Sequence, residues 1–307
     1  MEVICLIYGI PSLLLSLFFL KFLSRAEFKY SFYRLIQCDI TLNIVCYLNG
    51  WFTRFSNWSV TIPMMLVIYE NVKVVLRFTP YFVNFFFNAQ AMSVIFLSVH
   101  RLTTILYITA NEFWNKYYLP IYLLILLLSS IPCIHAYSID GLPPNTFNYA
   151  GGVFVPTPLD PAKRELQYKI FFVLSSIFFT IILVVNVLTI FMLVKRLKLS
   201  NNTTSQSQKL RRNLTIITII NSSIFFIVFL WNLFGDKTLG REFWVASMYI
   251  LSDALSLSLP YILLAFDQNV RKTLKTVTGS NAVKFANYLG YASNSVHHRT
   301  ASIISVI

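Results

Sequence analysis

IFFVLSSIFFTIILVVNVLTIFMLV, residues Ile170–Val194, holds no charged residue, and its polar members are limited to Ser175, Ser176, Thr180, Asn186 and Thr189. A helix needs about 20 apolar residues to cross a ~30 Å hydrocarbon core. This run meets that length with room to tilt. Lys163, Arg164 and Lys169 precede it, and Lys195, Arg196 and Lys198 follow it, so charge stops at both of its ends.

Read outward from there, six further stretches between charges have the same character: Val3–Leu20, Leu35–Thr53, Phe78–Val99, Tyr117–Ile139, Asn213–Gly235 and Phe243–Phe266. Only Asp39 and Asp253 bring an acid into them. Phe55–Tyr69 is short and carries Asn57, Ser59, Thr61 and Pro63, so it reads as a loop. The composition agrees: 56% of the 307 residues are hydrophobic and 12% charged, where soluble chains average about 45–50% and about 25%. The expected fold is an all-α membrane protein, a bundle of seven transmembrane helices.

The net charge of +13 would suit nucleic acid, but its placement explains it otherwise. With the N-terminus outside, 17 of the 25 Lys and Arg fall on the inner side and 8 on the outer. Cytoplasmic flanks retain basic residues, so the N-terminus is expected outside and the C-terminus in the cytoplasm. With the acids included, the inner side nets +14 and the outer +1. The excess faces an anionic inner leaflet, and no nucleic-acid partner is required.

The first run is preceded by Glu2 and followed by Lys21 and Arg25. A secretory signal has the reverse order, so an uncleaved anchor is expected. Cys5, Cys38, Cys46 and Cys133 lie in apolar runs with no zinc spacing. Buried free thiols are one reading, and a Cys46–Cys133 disulfide near the outer ends of two helices is another. No metal or cofactor is expected. Asn57-Trp58-Ser59 is an outer glycosylation sequon, while Asn201 and Asn202 open inner ones.

The longest outer loop, Asp140 to Lys169, is rich in Gly and Pro, and either lids a pocket or connects two spans. The inner stretch Lys195–Arg212 has a polar centre and reads as a mobile connector. Phe266, Val270, Leu274 and Val277 form an apolar stripe beside Arg271, Lys272 and Lys275. That pattern predicts a short amphipathic helix near 267–277 lying on the inner leaflet. Residues 1–278 are expected to form the seven-span domain, and 279–307 a flexible cytoplasmic tail.

Ionisable groups in lipid are costly and face the bundle interior. Asp39 is a packing residue, or else a hydrogen-bonded hinge or ion site. Asp253, about two turns outward of Pro260, is a packing residue or reaches a ligand cavity, and Tyr249 of the same span is grouped with it. In the third span Asn84, Asn88, Ala91, Ile95, Ser98 and Arg101 share one face. Asn84 and Asn88 either contact a ligand or serve as interhelical glue. Arg101, after His100 at the inner end, meets a cytoplasmic partner or anchors the interface.

Four segments carry a likeness: YGIPSLLLSLFFL (residues 8–20), SFYRLIQCDITLNIVCYLN (31–49), HRLTTILY (100–107) and SDALSLSLPYILLAFDQNVRK (252–272). They resemble the serpentine receptor class gamma family of nematodes over most of the chain. The resemblance implies a seven-helix chemoreceptor of sensory neurons, with a small-molecule ligand bound from outside and a heterotrimeric G protein as inner partner. It carries roles to Arg101 and Pro260, with Asp39 and Tyr261 grouped with them in coupling or activation. Against the wider rhodopsin-like pattern, Arg101 lacks the neighbouring acid, Leu259-Pro260-Tyr261 lacks a preceding Asn, and the usual outer disulfide is missing. The last span has no Lys to form a retinal Schiff base.

A transporter or channel is the main rival. The chain shows no internal repeat of the transporter kind and no pore-lining polar segment. A membrane hydrolase would need a His/Asp/Glu cluster, yet His135 is the only histidine inside a span. A receptor, not an enzyme, is the expected class.

Overall fold

The computed structural model describes residues 2–107, 109–138, 147–150, 153–156, 161–199 and 206–277. In chain order it comprises α1 (Glu2–Leu23), α2 (Ser31–Asn57), α3 (Ile62–Asn71), α4 (Lys73–Leu106), α5 (Ala110–Ser138), strands β1 (Phe147–Ala150) and β2 (Val153–Pro156), α6 (Pro161–Leu199), α7 (Gln206–Leu239), α8 (Arg241–Leu257) and α9 (Leu259–Phe266). Single 3-10 turns precede α2 and α3. Residues 268–277 are also helical and are called α10. The end of the bundle bearing the start of α1 is called the outer end, after the orientation expected from the charge placement.

Among the described residues five helices have the length and apolarity to cross a membrane: α1, α4, α5, α6 and α7. Together α8 and α9 make a sixth, bent by 52°. Pro260 sits in the first turn of α9; without an N–H it leaves the helical ladder broken there, which is the physical cause of the bend. The stretch expected as the second span is α2, 27 residues long, which falls short of that apolarity. Gln37, Asp39, Asn43 and Arg54 make it the least apolar of the set.

Those polar residues are tolerated because α2 is interior. It packs against α1, α4, α5 and α8, and α4 in turn packs against α2, α5, α6 and α7. By contrast, about a tenth of the α6 span is buried (11%), against half of α4 and of α7 (50% each). The outward side chains of α6, such as Phe172, Val184 and Phe191, are exposed for lipid to cover. Such apolar exposure is the pattern of a chain whose solvent is hydrocarbon.

The main core lies toward the inner end, where Phe19, Phe22, Phe28, Phe32, Ile36 and Leu263 pack together. On α1, Gly9 lets α2 approach: a Cβ there would overlap the hydroxyl of Tyr47. At the turn between α7 and α8, Gly240 has φ 81°, a left-handed conformation that side chains disfavour.

Several connections differ from their expected form. Of Phe55–Tyr69, read as loop, the start belongs to α2 and the part from Ile62 onward to α3: Pro63 falls in the first turn of α3, where proline starts a helix instead of breaking it. The outer loop holds the antiparallel β1–β2 hairpin. Phe154 from that hairpin is buried against Met65 and Tyr69 of α3. The inner connector is helical to Leu199 and again from Gln206, and residues 200–205 lie outside the described set. The tail 279–307 also lies outside it. All four cysteines are free, so Cys46 and Cys133 are not bridged.

Candidate functional site

Polar side chains inside the bundle gather in three connected places. The outermost centres on Asp253 of α8. Its Oδ1 accepts from Arg54 Nη2 at 2.5 Å, and its Oδ2 accepts from the Tyr8 hydroxyl of α1 at 2.6 Å. Both members of the ion pair are buried, with side chains 3% exposed. Arg54 also donates to the carbonyl of Tyr249 at 3.3 Å. Its guanidinium lies 4.8 Å from the Trp51 ring centroid and 5.2 Å from that of Tyr249. Three spans thus meet on one charge pair. Arg54, counted by sequence among outer-loop charges, is inside the bundle because α2 extends a turn beyond the expected boundary at Thr53.

The second place is mid-bundle. Asp39 Oδ1 accepts from Ser93 of α4 at 2.5 Å, and Asn43 Nδ2 lies 3.4 Å from Oδ2. The Tyr122 hydroxyl of α5 lies 2.7 Å from Ser93 Oγ and 3.1 Å from the carbonyl of Leu35. Gln90 of α4 donates to Asn43 at 2.7 Å and to Ser256 of α8 at 3.2 Å. Ser256 follows Asp253 by one helical turn, which links this network to the outer pair through α8. Asp39 therefore occupies the hydrogen-bonded centre of α2, α4 and α5.

The third place is the inner end. Ser31, the first residue of α2, gives its amide at 3.1 Å and its hydroxyl proton at 2.6 Å to Asn111 Oδ1 of α5. Having one proton, Ser31 must accept from His100 Nε2 at 2.7 Å. Arg101 is fully buried, its guanidinium 5.2 Å from the Phe32 ring centroid. Asp267 Oδ1 accepts from the amides of Asn269 and Val270, capping α10, while Tyr33 of α2 donates to its Oδ2 at 2.8 Å. Burial pushes the Asp267 carboxyl above its ordinary range; the Tyr33 and backbone hydrogen bonds pull it back only in part.

Of the sequence-derived candidates, Tyr249 and Asp253 come together around Arg54. Asn88 instead faces α5, its Nδ2 3.8 Å from Cys133 Sγ, and Asn84 is half-buried one turn outward of it. Tyr261 faces α1, its hydroxyl 2.8 Å from Ser12 Oγ, and Pro260 is buried at the bend. Asn57 is the last residue of α2, and its side chain lies outside the described set. Sequence reasoning passed over Tyr8, Arg54, Gln90 and Ser93. Gln90, Ser93, Leu97 and His100 recur at steps of three and four, a second inward face on α4 that periodicity alone would have found.

Residues 3–274 match the family described as Srg family chemoreceptor. Serpentine receptor class gamma-53 of Caenorhabditis elegans is 30% identical over 275 residues, covering 89% of this chain and 90% of that protein. Serpentine receptor class gamma-47 of the same organism is 27% identical over 286 residues, 89% of each. With its apolar helices and its match across nearly the whole length, the chain belongs to the Srg chemoreceptor family and is a multi-pass serpentine receptor of the membrane, a class distinct from enzymes.

Proposed function

We propose that this receptor binds a small molecule from its outer end and signals to a cytoplasmic heterotrimeric G protein at its inner end. The observation that carries the reading is the polar path just described. It starts at the Tyr8–Asp253–Arg54 cluster and runs through Ser256, Gln90 and Asn43 to Asp39 and Ser93. From Leu35, α2 continues one turn to Phe32 and Ser31, which touch Arg101 and His100. A ligand that binds one arrangement of α2 and α8 better than another shifts the inner end by the same differential free energy.

In this reading Tyr249 and Asp253 belong to the ligand site, while Asn88, one turn inward of Asn84, faces Cys133 of α5 and acts as interhelical glue. Asp39 and Pro260 transmit, Tyr261 steadies the bent span against α1, and Arg101 meets the G protein once the inner helices part. The N-terminus lies outside the cell and α10 rests on the anionic inner leaflet.

The test is a reporter assay in cells supplied with a promiscuous G protein and screened with volatile and water-soluble compounds. Arg101→Ala is expected to abolish the response while surface expression persists; a normal response in that variant removes its assigned role. Substrate uptake or ionic current without any G-protein signal would replace the receptor mechanism with transport.

A further inference from the structure

The Arg54 guanidinium is 3% exposed yet incompletely bonded. Among the described residues only Nη2 has hydrogen-bond partners, Asp253 and the Tyr249 carbonyl. Among the described residues Nε and Nη1 are buried without a hydrogen-bond partner, which leaves three of the five N–H groups of guanidinium unused. A half-bonded charge in a low-dielectric bundle is costly unless another state of the molecule completes it. Around it Trp51, Tyr47 and Tyr249 offer ring faces, at 4.8, 5.9 and 5.2 Å. Rings of this kind orient a guanidinium while leaving its in-plane donors for a planar oxyanion.

From this geometry we propose that Arg54 is the recognition group for a carboxylic acid ligand, whose carboxylate replaces Asp253 on the guanidinium. The proposal rests on the ligand site proposed above and names its chemistry. Charge balance fixes the exchange. An entering acid breaks its O–H bond and gives the proton to an Asp253 carboxylate oxygen; the ligand carboxylate then takes Arg54. The buried cluster keeps the same net charge before and after, as a dry interior requires. Asp253 retains the Tyr8 hydroxyl, whose bond at 2.6 Å involves the other carboxylate oxygen. Because Asp253 and Ser256 share a face of α8, release of Asp253 from α2 frees the element that holds Gln90. Entry is from the outer end, since Arg54 lies within one turn of the end of α2.

The experiment uses the full chain in lipid nanodiscs, read by thermal unfolding and Trp fluorescence. The probes are straight-chain carboxylic acids of two to ten carbons, each paired with its methyl ester. Acids are expected to raise the midpoint and esters to bind on the order of tenfold more weakly, the loss of a charge-assisted contact. Arg54→Gln removes the recognition group but also strands Asp253, so the charge-free pair Arg54→Gln with Asp253→Asn keeps the test valid if the single variant fails to fold. That double variant is expected to fold and to treat acid and ester alike. The proposal is overturned if no acid stabilises the wild type, if esters match acids, or if the double variant keeps the preference. Acid binding without a G-protein signal upholds this site and sinks only the signalling reading. A G-protein response to neutral odorants, unchanged in the double variant, does the reverse.

Discussion

Gly9 is held to its size by Tyr47, because a methyl group at position 9 would meet the tyrosine hydroxyl and Tyr47 is buried with little room to turn. Overpacking of this kind costs about 1–3 kcal/mol, offset by the roughly 1 kcal/mol helix preference of Ala over Gly. Gly9→Ala is therefore expected to lower the melting temperature in detergent, and adding Tyr47→Phe, which deletes the offending hydroxyl, should recover most of the loss. An unchanged melt in Gly9→Ala would mean that α1 and α2 do not meet at this point. At this scale the sequence was legible where a residue broke the local pattern: an acid in lipid marked Asp39 and Asp253. It was not legible for Arg54, because a basic residue just past an apolar run has the same signature whether it anchors an interface or folds inward. Tyr8 was hidden for a related reason. One more aromatic among 17 tyrosines and 28 phenylalanines carries no signal of its own.

Elements were more readable than their ends. Each of the seven runs between charges falls in a helix or in the bent pair α8–α9, yet α4 has 34 residues and α6 39, since polar residues beyond the lipid continue a helix without interrupting its backbone bonds. The short outer helix α3 was missed because Pro63 signals both a break and a start, and only the residues after it decide which. In α3, Ile62, Met65, Leu66 and Tyr69 form a stripe at helical spacing, and Phe154 of β2 seats on it. Burying a phenylalanine against two partners stabilises by roughly 1.5–3 kcal/mol, enough to hold a hairpin of two four-residue strands but not to make it rigid. Phe154→Ser is thus expected to speed hydrogen exchange in both strands and in α3 while leaving α5 and α7 unaffected. Equal protection in the variant would show that the hairpin is held by something other than this side chain.

For the whole molecule, orientation is the quantity that charge asymmetry carries. With the buried Arg54 and Arg101 both set aside, the outer set of Lys and Arg falls from 8 to 7 and the inner from 17 to 16, so the bias is kept. A sequon engineered into an N-terminal extension is expected to acquire glycan, whereas Asn201 and Asn202 are expected to remain bare; digestion with a glycosidase and a mobility shift reads both. Glycan on Asn201 or Asn202 would invert the topology. How the bundle is wired together was beyond sequence reading, because its ties join residues far apart in the chain: Arg54 with Asp253, Tyr33 with Asp267, Ser31 with Asn111. The first of these ties has a bearing on biogenesis. The span that departs most from an apolar composition is made early, and its partner Asp253 emerges from the ribosome only after four more spans. Until then Arg54 must be sheltered by the insertion machinery or by a chaperone within the membrane. A chain that stalls or is truncated before α8 presents an unpaired cation to the bilayer, a mark by which quality control could sort incomplete receptors from finished ones.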